Sequence, residues 1–309
     1  MNKKYNIFSV IIITSSIIAI SIGIILFVQF QQGSNVEGYL FIDSKNRQVI
    51  VPYHPNRIIS LAPSITEILY ALEVDDRLVG VTSYCNYPED VVNKTIIGGF
   101  HSINLEIIIS LNPDLIIAAN WNAETVMQIE QLGFPIVIIL ADTLNKTIDN
   151  IGLIGNLTNS ETKASEIMET MYTDMETIMN KTNKINQTNK FKCYFEVWET
   201  PKVAGGSSFL NDMINKAGAI NIFGTIALEW PIVSHEWIIA SNPEAIFITE
   251  HASPHYSQDV SSRTGYDTVN ACIENRVFQC YDDIYLRQGP RIILALENMT
   301  NYLYPSLFL

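Results

Sequence analysis

The stretch that most constrains this chain is one it uses twice. Asn104–Ala119 reads NLEIIISLNPDLIIAA and Ser234–Thr249 reads SHEWIIASNPEAIFIT. The two superimpose without a gap as a capping residue, one variable position, Glu, four apolar or small residues, a short break, Asn-Pro-acid and an apolar run. In each copy Asn104 or Ser234 can cap a short helix, and the Asn-Pro pair ends it because a residue before proline is pushed out of the helical region. The β-branched run after Asp114 or Glu244 reads as a buried strand. One helix-turn-strand unit in each half predicts two similar lobes. Two copies are too few for a solenoid, so the pattern predicts a pseudo-symmetric pair of α/β domains with a site between them.

The segments around the repeat agree. Tyr39 to Val51 alternates around an Asp43-Ser44-Lys45-Asn46 turn and reads as a hairpin. Ile58–Leu61 is a strand, and Ser64-Ile65-Thr66-Glu67 has the form of a capping box opening a helix to Leu72. Further strands are expected at Leu78–Val81, Ile136–Leu140, Cys193–Val197 and Val277–Tyr281. Helices are expected at Glu124–Leu132, Phe209–Lys216 and Arg291–Tyr302. Strands alternating with helices at this spacing indicate parallel, doubly wound sheets. Between the halves, Glu161 to Lys181 has no strand signal, and Ala164, Ile167, Met168, Met171, Tyr172, Met175, Ile178 and Met179 recur at steps of three or four. They form one apolar face of a long stiff helix, a methionine stripe that reads as core packing. The expected division is therefore 1–35 as a membrane anchor and tether, 36–158 as the first lobe, 159–190 as the connecting helix and 191–309 as the second lobe.

At the amino terminus, Ile7 to Phe30 is an apolar run long enough as a helix, about 36 Å, to cross a bilayer. Lys3 and Lys4 precede it, which orients the body to the extracytoplasmic side. No small-x-small cleavage site is clear and no Cys follows to carry a lipid, so an uncleaved anchor is expected. The net charge of −13, without clustered Lys and Arg, argues against nucleic acid as a partner. Cys85, Cys193, Cys272 and Cys280 lack metal-ligand spacing, and a Cys272–Cys280 bridge is possible. Six Asn-x-Thr triplets begin at Asn93, Asn145, Asn156, Asn180, Asn186 and Asn298 and suit a glycosylated outer surface.

Ligands of open α/β sheets bind beyond the carboxyl ends of the strands. The loops leaving those ends carry Tyr84, Phe100 with His101, Trp121, Trp198, Trp230, His251 with His255, and Asp283 with Tyr285 and Arg287. A cleft so lined suits a large, partly apolar ligand with polar edges, and His101 is placed to touch it. His251 and His255 have a metal-binding spacing, but Pro254 makes their segment a loop and no third ligand lies nearby. No nucleophile elbow, phosphate loop or dinucleotide fingerprint is present, and Gly98-Gly99 and Gly205-Gly206 read as isolated turn glycines. Glu106 and Glu236 sit in first turns, where the helix dipole stabilises a carboxylate. As a matched pair they also suit docking on a twofold-symmetric basic partner.

RIISLAPSITEILYAL, VGVTSYCNYPED, NLEIIISLNPDLIIA, AGAINIF, EWPIVSHEWIIASNPEAIFIT and GPRIILAL, in this order, resemble the vitamin B12-binding proteins of ABC importers, within the wider iron-siderophore and cobalamin-binding group. The resemblance runs from about Arg57 to Leu303. It implies two Rossmann-like lobes joined by one rigid helix, no enzymatic activity, no cofactor of the protein's own, and a corrinoid held between the lobes for delivery to a permease dimer with its ATPase. It places Glu106 and Glu236 against the two permease subunits. It puts Tyr84, Phe100 (where the family pattern has Trp), Trp230, Asp283 and Arg287 at corrinoid-contacting positions, with Trp198 and Trp121 near two further aromatic ones. A ferric siderophore or haem is the alternative ligand, and a metal-dependent surface enzyme built on His251 and His255 the alternative function.

Overall fold

The computed structural model describes residues 37–99, 102–119, 123–199, 201–252 and 257–308. Leu40–Leu309 pack into one compact unit; Met1–Tyr39 form another, of which only residues 37–39 are described. No helix among the described residues is long and apolar enough to cross a membrane, and the Ile7–Phe30 run lies outside them.

Strands β1 (Gly38–Ile42) and β2 (Gln48–Pro52) pair as the expected hairpin. The first lobe then runs β3 (Ile58–Ser60), α1 (Pro63–Ala71), β4 (Leu78–Val81), the short strands β5 (Thr95–Ile96), β6 (Gly98–Gly99) and β7 (Ser102–Ile103), α2 (Leu105–Leu111), β8 (Leu115–Ala118), α3 (Ala123–Gln131) and β9 (Ile136–Ile138). Its sheet has the order β5-β4-β3-β8-β9, all parallel, with Ile58 paired to Leu78 on one side and Leu115 on the other. Two long helices follow, α4 (Leu144–Thr158) and α5 (Glu161–Thr182).

The second lobe contains β10 (Lys192–Trp198), β11 (Lys202–Val203), α6 (Phe209–Lys216), β12 (Ile220–Asn221), α7 (His235–Ser241), β13 (Ala245–Thr249), α8 (Ser257–Ser262), α9 (Asn270–Ile273), β14 (Val277–Cys280), α10 (Asp282–Tyr285) and α11 (Ile292–Leu303). β10, β13 and β14 are parallel neighbours; β12 pairs in parallel with the start of β10 and β11 antiparallel with its end.

The repeat builds the same local structure in both lobes. Asn104 Oδ1 accepts from the Ile107 amide at 3.1 Å, and Ser234 Oγ from the Trp237 amide at 3.2 Å. Each seven-residue helix stops at an asparagine in the left-handed region, Asn112 at φ 43° and Asn242 at φ 42°, which Asn tolerates better than most residues. The acid after the proline then anchors the neighbouring strand. Asp114 accepts from the amides of Asn56 and Arg57 at 2.7 and 2.9 Å, and Glu244 from the Lys192 amide at 2.9 Å. The motif is therefore a clip that sets where β3 and β10 begin. Those strands then bury Ile58, Ile59, Tyr194 and Phe195 completely, each worth about 1.5–3 kcal/mol as apolar burial.

The structure differs from or adds to the sequence reading at three points. The Ser64–Glu67 segment is not a capping box: the helix begins at Pro63, Ala62 is its N-cap and makes no side-chain cap bond, and Glu67 turns elsewhere. All four cysteines are free, so Cys272 and Cys280 are not bridged. Helix α4 is absent from the sequence reading, although Thr143 caps it through the Lys146 amide at 3.2 Å and Leu144, Ile148, Ile151, Ile154 and Leu157 bury one face. Glycines explain why α5 lies so close to it: a Cβ on Gly155 would come 2.5 Å from that of Ala164, and one on Gly152 2.8 Å from Met168 Sδ. Ala164, Met171, Met175 and Ile178 are buried, as core packing requires.

Candidate functional site

Trp198 ends β10 and Trp230 lies in the 222–234 loop, and together with Phe209 and Leu286 they line a cavity of about 200 Å³. Trp230 meets Phe209 edge-on at 6.2 Å between centroids. Trp198, 47% exposed, stacks at 5.4 Å on His251, whose Nδ1 bonds to the Asp282 carboxylate. His251 thus forms a shelf beneath Trp198. No cluster of three or more metal-ligating side chains occurs among the described residues, and His255 lies outside them.

Gly205 and Gly206 are not isolated turn glycines. Their amides donate to Glu229 O at 3.0 Å and Ile226 O at 2.8 Å, holding the loop that carries Trp230. A Cβ on Gly205 would stand 2.1 Å from Leu228 O, and one on Gly206 2.2 Å from Gly224 O, so only glycine permits this approach.

A second cavity, about 290 Å³, opens beyond the carboxyl ends of β8 and β9. The first lobe contributes Lys45, Ala119, Leu140, Ala141, Asp142 and Lys146, and the second Ser207, Glu229 and Gln288. The hairpin turn delivers Lys45 here because Asp43 is clamped: its carboxylate accepts from the amides of Lys45, Arg47 and Ile138 at 2.9, 3.0 and 3.1 Å. Burial alone would raise its pKa, but the Arg47 guanidinium and these amides hold it below the usual carboxylate range. Glu229 behaves oppositely: burial raises its pKa, against the lowering effects of its hydrogen bond with the Trp230 side chain and of Lys202 and Lys45.

The lobes are joined by a polar cluster at one end of the cleft. Glu67 of α1, 3% exposed, receives Arg291 Nε and Nη2 at 2.8 and 2.6 Å, and Arg287 Nη1 at 3.0 Å. Arg287 also donates to Asn86 Oδ1 at 2.7 Å and Tyr84 O at 3.3 Å, and pairs with Asp283. Asn86 closes the ring through Asp283 Oδ2 at 2.8 Å, and Arg291 lies 4.0 Å over the Tyr87 ring. Gln288 Nε2 donates across the lobes to Ala141 O at 2.8 Å. Two carboxylates thus meet two guanidiniums, and Arg287 is already paired. Sequence reasoning missed Glu67, Asn86 and Arg291 as a unit because they come from three separate segments.

Of the expected site residues, the structure brings Trp198 to Trp230, and Asp283 to Arg287 and the Tyr84 backbone. Tyr84 is 54% exposed, with its ring beside Gly99. Phe100, His101 and Trp121 lie outside the described residues. Glu106 and Glu236 are exposed in the first turns of α2 and α7. The Glu236 carboxyl is held below its ordinary value by its own backbone amide and the Ser234 hydroxyl, so it is ionised at neutral pH.

A larger cavity, about 710 Å³, lies elsewhere, between α5 and α11 and lined by Lys163, Glu166, Asp174, Arg291 and Glu297 among others. No strand end reaches it, and its charged flanks make it a groove between two helices rather than the mouth of a sheet.

A family model described as periplasmic binding protein matches residues 58–284. The uncharacterized ABC transporter substrate-binding lipoprotein YvrC of Bacillus subtilis (strain 168) is 30% identical over 273 residues, covering 86% of this chain and 85% of that protein. A possible iron-binding (periplasmic solute-binding) protein of Staphylococcus epidermidis superposes with a TM-score of 0.70 at 33% identity, covering 81% of this chain and 99% of that one. The periplasmic vitamin B12 binding protein BtuF of Vibrio cholerae superposes with a TM-score of 0.73 at 26% identity, covering 82% and 99%.

Proposed function

The chain belongs to the periplasmic binding protein family, whose members bind a substrate rather than transform it, and from that premise we propose that it captures a corrinoid, cobalamin foremost, for an ABC importer. Residues 36–158 and 191–309 are the two lobes in this reading, and 159–190 the connecting segment. The ligand lies against Trp198, Trp230 and Tyr84, with Asp283 and Arg287 at its polar edge and Phe100, His101 and Trp121 completing the wall. Ile7–Phe30 anchors the body on the extracytoplasmic face.

The observation that carries the choice of ligand is charge balance. Asp283 and Glu67 neutralise Arg287 and Arg291, and across the two cavities Lys45, Lys146 and Lys202 stand against Asp142 and Glu229, leaving a single lysine in excess. A ferric siderophore or haem presents several carboxylates or other anionic groups and calls for several unpaired cations there, not one. A corrinoid with a large apolar face and amide edges does not. The iron-chelate alternative draws on the likeness to the possible iron-binding protein.

Replacing Trp230 by Ala removes an aromatic wall at the centre of the site. Equilibrium titration with cyanocobalamin should register a loss of about 2 kcal/mol, roughly thirty-fold in Kd. Unchanged affinity would take Trp230 out of the site.

Glu106 and Glu236 dock the loaded receptor on the two permease subunits. Each charge pair buried at such an interface is worth roughly 2–5 kcal/mol when truncated. Glu106→Ala with Glu236→Ala should leave cyanocobalamin affinity intact and cut uptake at least ten-fold. Normal uptake by the double variant would remove this role from the pair.

A further inference from the structure

The six Asn-x-Thr triplets divide by what their threonines do. Thr147, Thr158, Thr182 and Thr300 are buried, and their hydroxyls donate to Thr143 O at 3.0 Å, Ile154 O at 2.7 Å, Lys216 O at 2.8 Å and Leu296 O at 2.8 Å. Helix packing accounts for those four. Thr95 and Thr188 are exposed, and so are their partners Asn93 and Asn186. Asn93 ends the short turn Glu89–Asn93 just before extended Lys94, and Asn186 is itself extended at φ −60°, ψ 144°. An enzyme could engage either triplet without opening a long helix or the core. No Asn-x-Ser triplet occurs in the chain, and neither site lies on α2, α7 or the walls of the cleft.

We propose that Asn93 and Asn186 are acceptors for N-linked oligosaccharide, a proposal that rests on the extracytoplasmic placement above. The co-reactant is a lipid-linked oligosaccharide phosphate, used by a membrane transferase. The asparagine Nδ2 forms a bond to the sugar C1, the bond from C1 to the phosphate oxygen breaks, the lipid phosphate leaves as the anion and one amide proton passes to solvent. No oxidant or reductant is required. A glycan at either place enlarges the exposed surface of the first lobe or of the turn after α5 and leaves the aromatic wall untouched.

The test is peptide mass mapping of the full chain purified from the membranes of its own cells. Peptides containing Asn93 and Asn186 should carry a sugar mass increment that a glycan-releasing amidase removes, leaving aspartate. Asn93→Gln and Asn186→Gln should each lower the intact mass by one increment without changing cyanocobalamin affinity. Recovery of both peptides at their unmodified mass, or sugar confined to the four triplets with buried threonine, overturns the proposal. Labelling intact cells with a membrane-impermeant amine reagent separates the two ideas. Labelled protein with bare Asn93 and Asn186 overturns the modification alone, whereas unlabelled protein overturns the extracytoplasmic placement and the modification with it.

Discussion

Glu67→Ala should lower the stability of the protein more than any other single charge removal, by about 3–5 kcal/mol, or roughly 10 °C in Tm. The reason is what stays behind. Glu67 is the acceptor for Arg291 through two bonds and for Arg287 through a third, and the two guanidiniums are only 22% and 12% exposed. Without the carboxylate, Arg287 keeps Asp283 but Arg291 loses its ion-pair partner, and two guanidiniums share one carboxylate at the join between lobes with too little water to compensate. Glu67→Gln keeps the shape and part of the hydrogen bonding and should cost less. Urea denaturation of the three proteins checks the order wild type, Gln, Ala. Because the cluster ties α1 to the segment before α11, the Ala variant should also widen the interlobe distance distribution in the ligand-free state. Spin labels on the two lobes would read this, and an unchanged distribution would show that the cluster does not hold the cleft.

Gly205→Ala should produce the second large effect, and on binding as much as on stability. Its new methyl group would meet Leu228 O at 2.1 Å and Pro231 Cδ at 2.8 Å, backbone and ring atoms that cannot turn away. The strand-like contact between Gly205 and Glu229 must open, at about 1–3 kcal/mol. Trp230 moves with that loop. Cyanocobalamin affinity should therefore fall at least as far as in Trp230→Ala, although residue 205 need not touch the ligand. Gly289→Ala is the control: its Cβ would meet nothing closer than 3.4 Å, so its effect on either quantity should be small. Wild-type binding by Gly205→Ala would mean that the loop is not held in the way its hydrogen bonds imply.

The lobes, the clip that starts each sheet and the long helix between them were legible because local rules dominate there. A cap, a helix stop and a β-branched run lie within sixteen consecutive residues, and the same string occurs twice. Helix α4 was equally local and could have been found from Thr143 and the spacing of Leu144, Ile148 and Ile151. The polar cluster was not accessible in that way. Glu67 sits three residues after Ser64, which makes it look like half of a capping box, and only the approach of the second lobe reveals its partners. Gly205 and Gly206 pose the same difficulty: that a glycine is needed follows from a backbone about twenty residues further along the chain.

One titration tests the central claim most directly. The purified chain is titrated calorimetrically with cyanocobalamin, haem and a ferric siderophore, each also against Trp230→Ala. Cyanocobalamin should bind saturably at one site, at least ten-fold more tightly than either iron chelate, and lose roughly thirty-fold in the variant. Tight haem or siderophore binding with no heat from cyanocobalamin would contradict the corrinoid assignment.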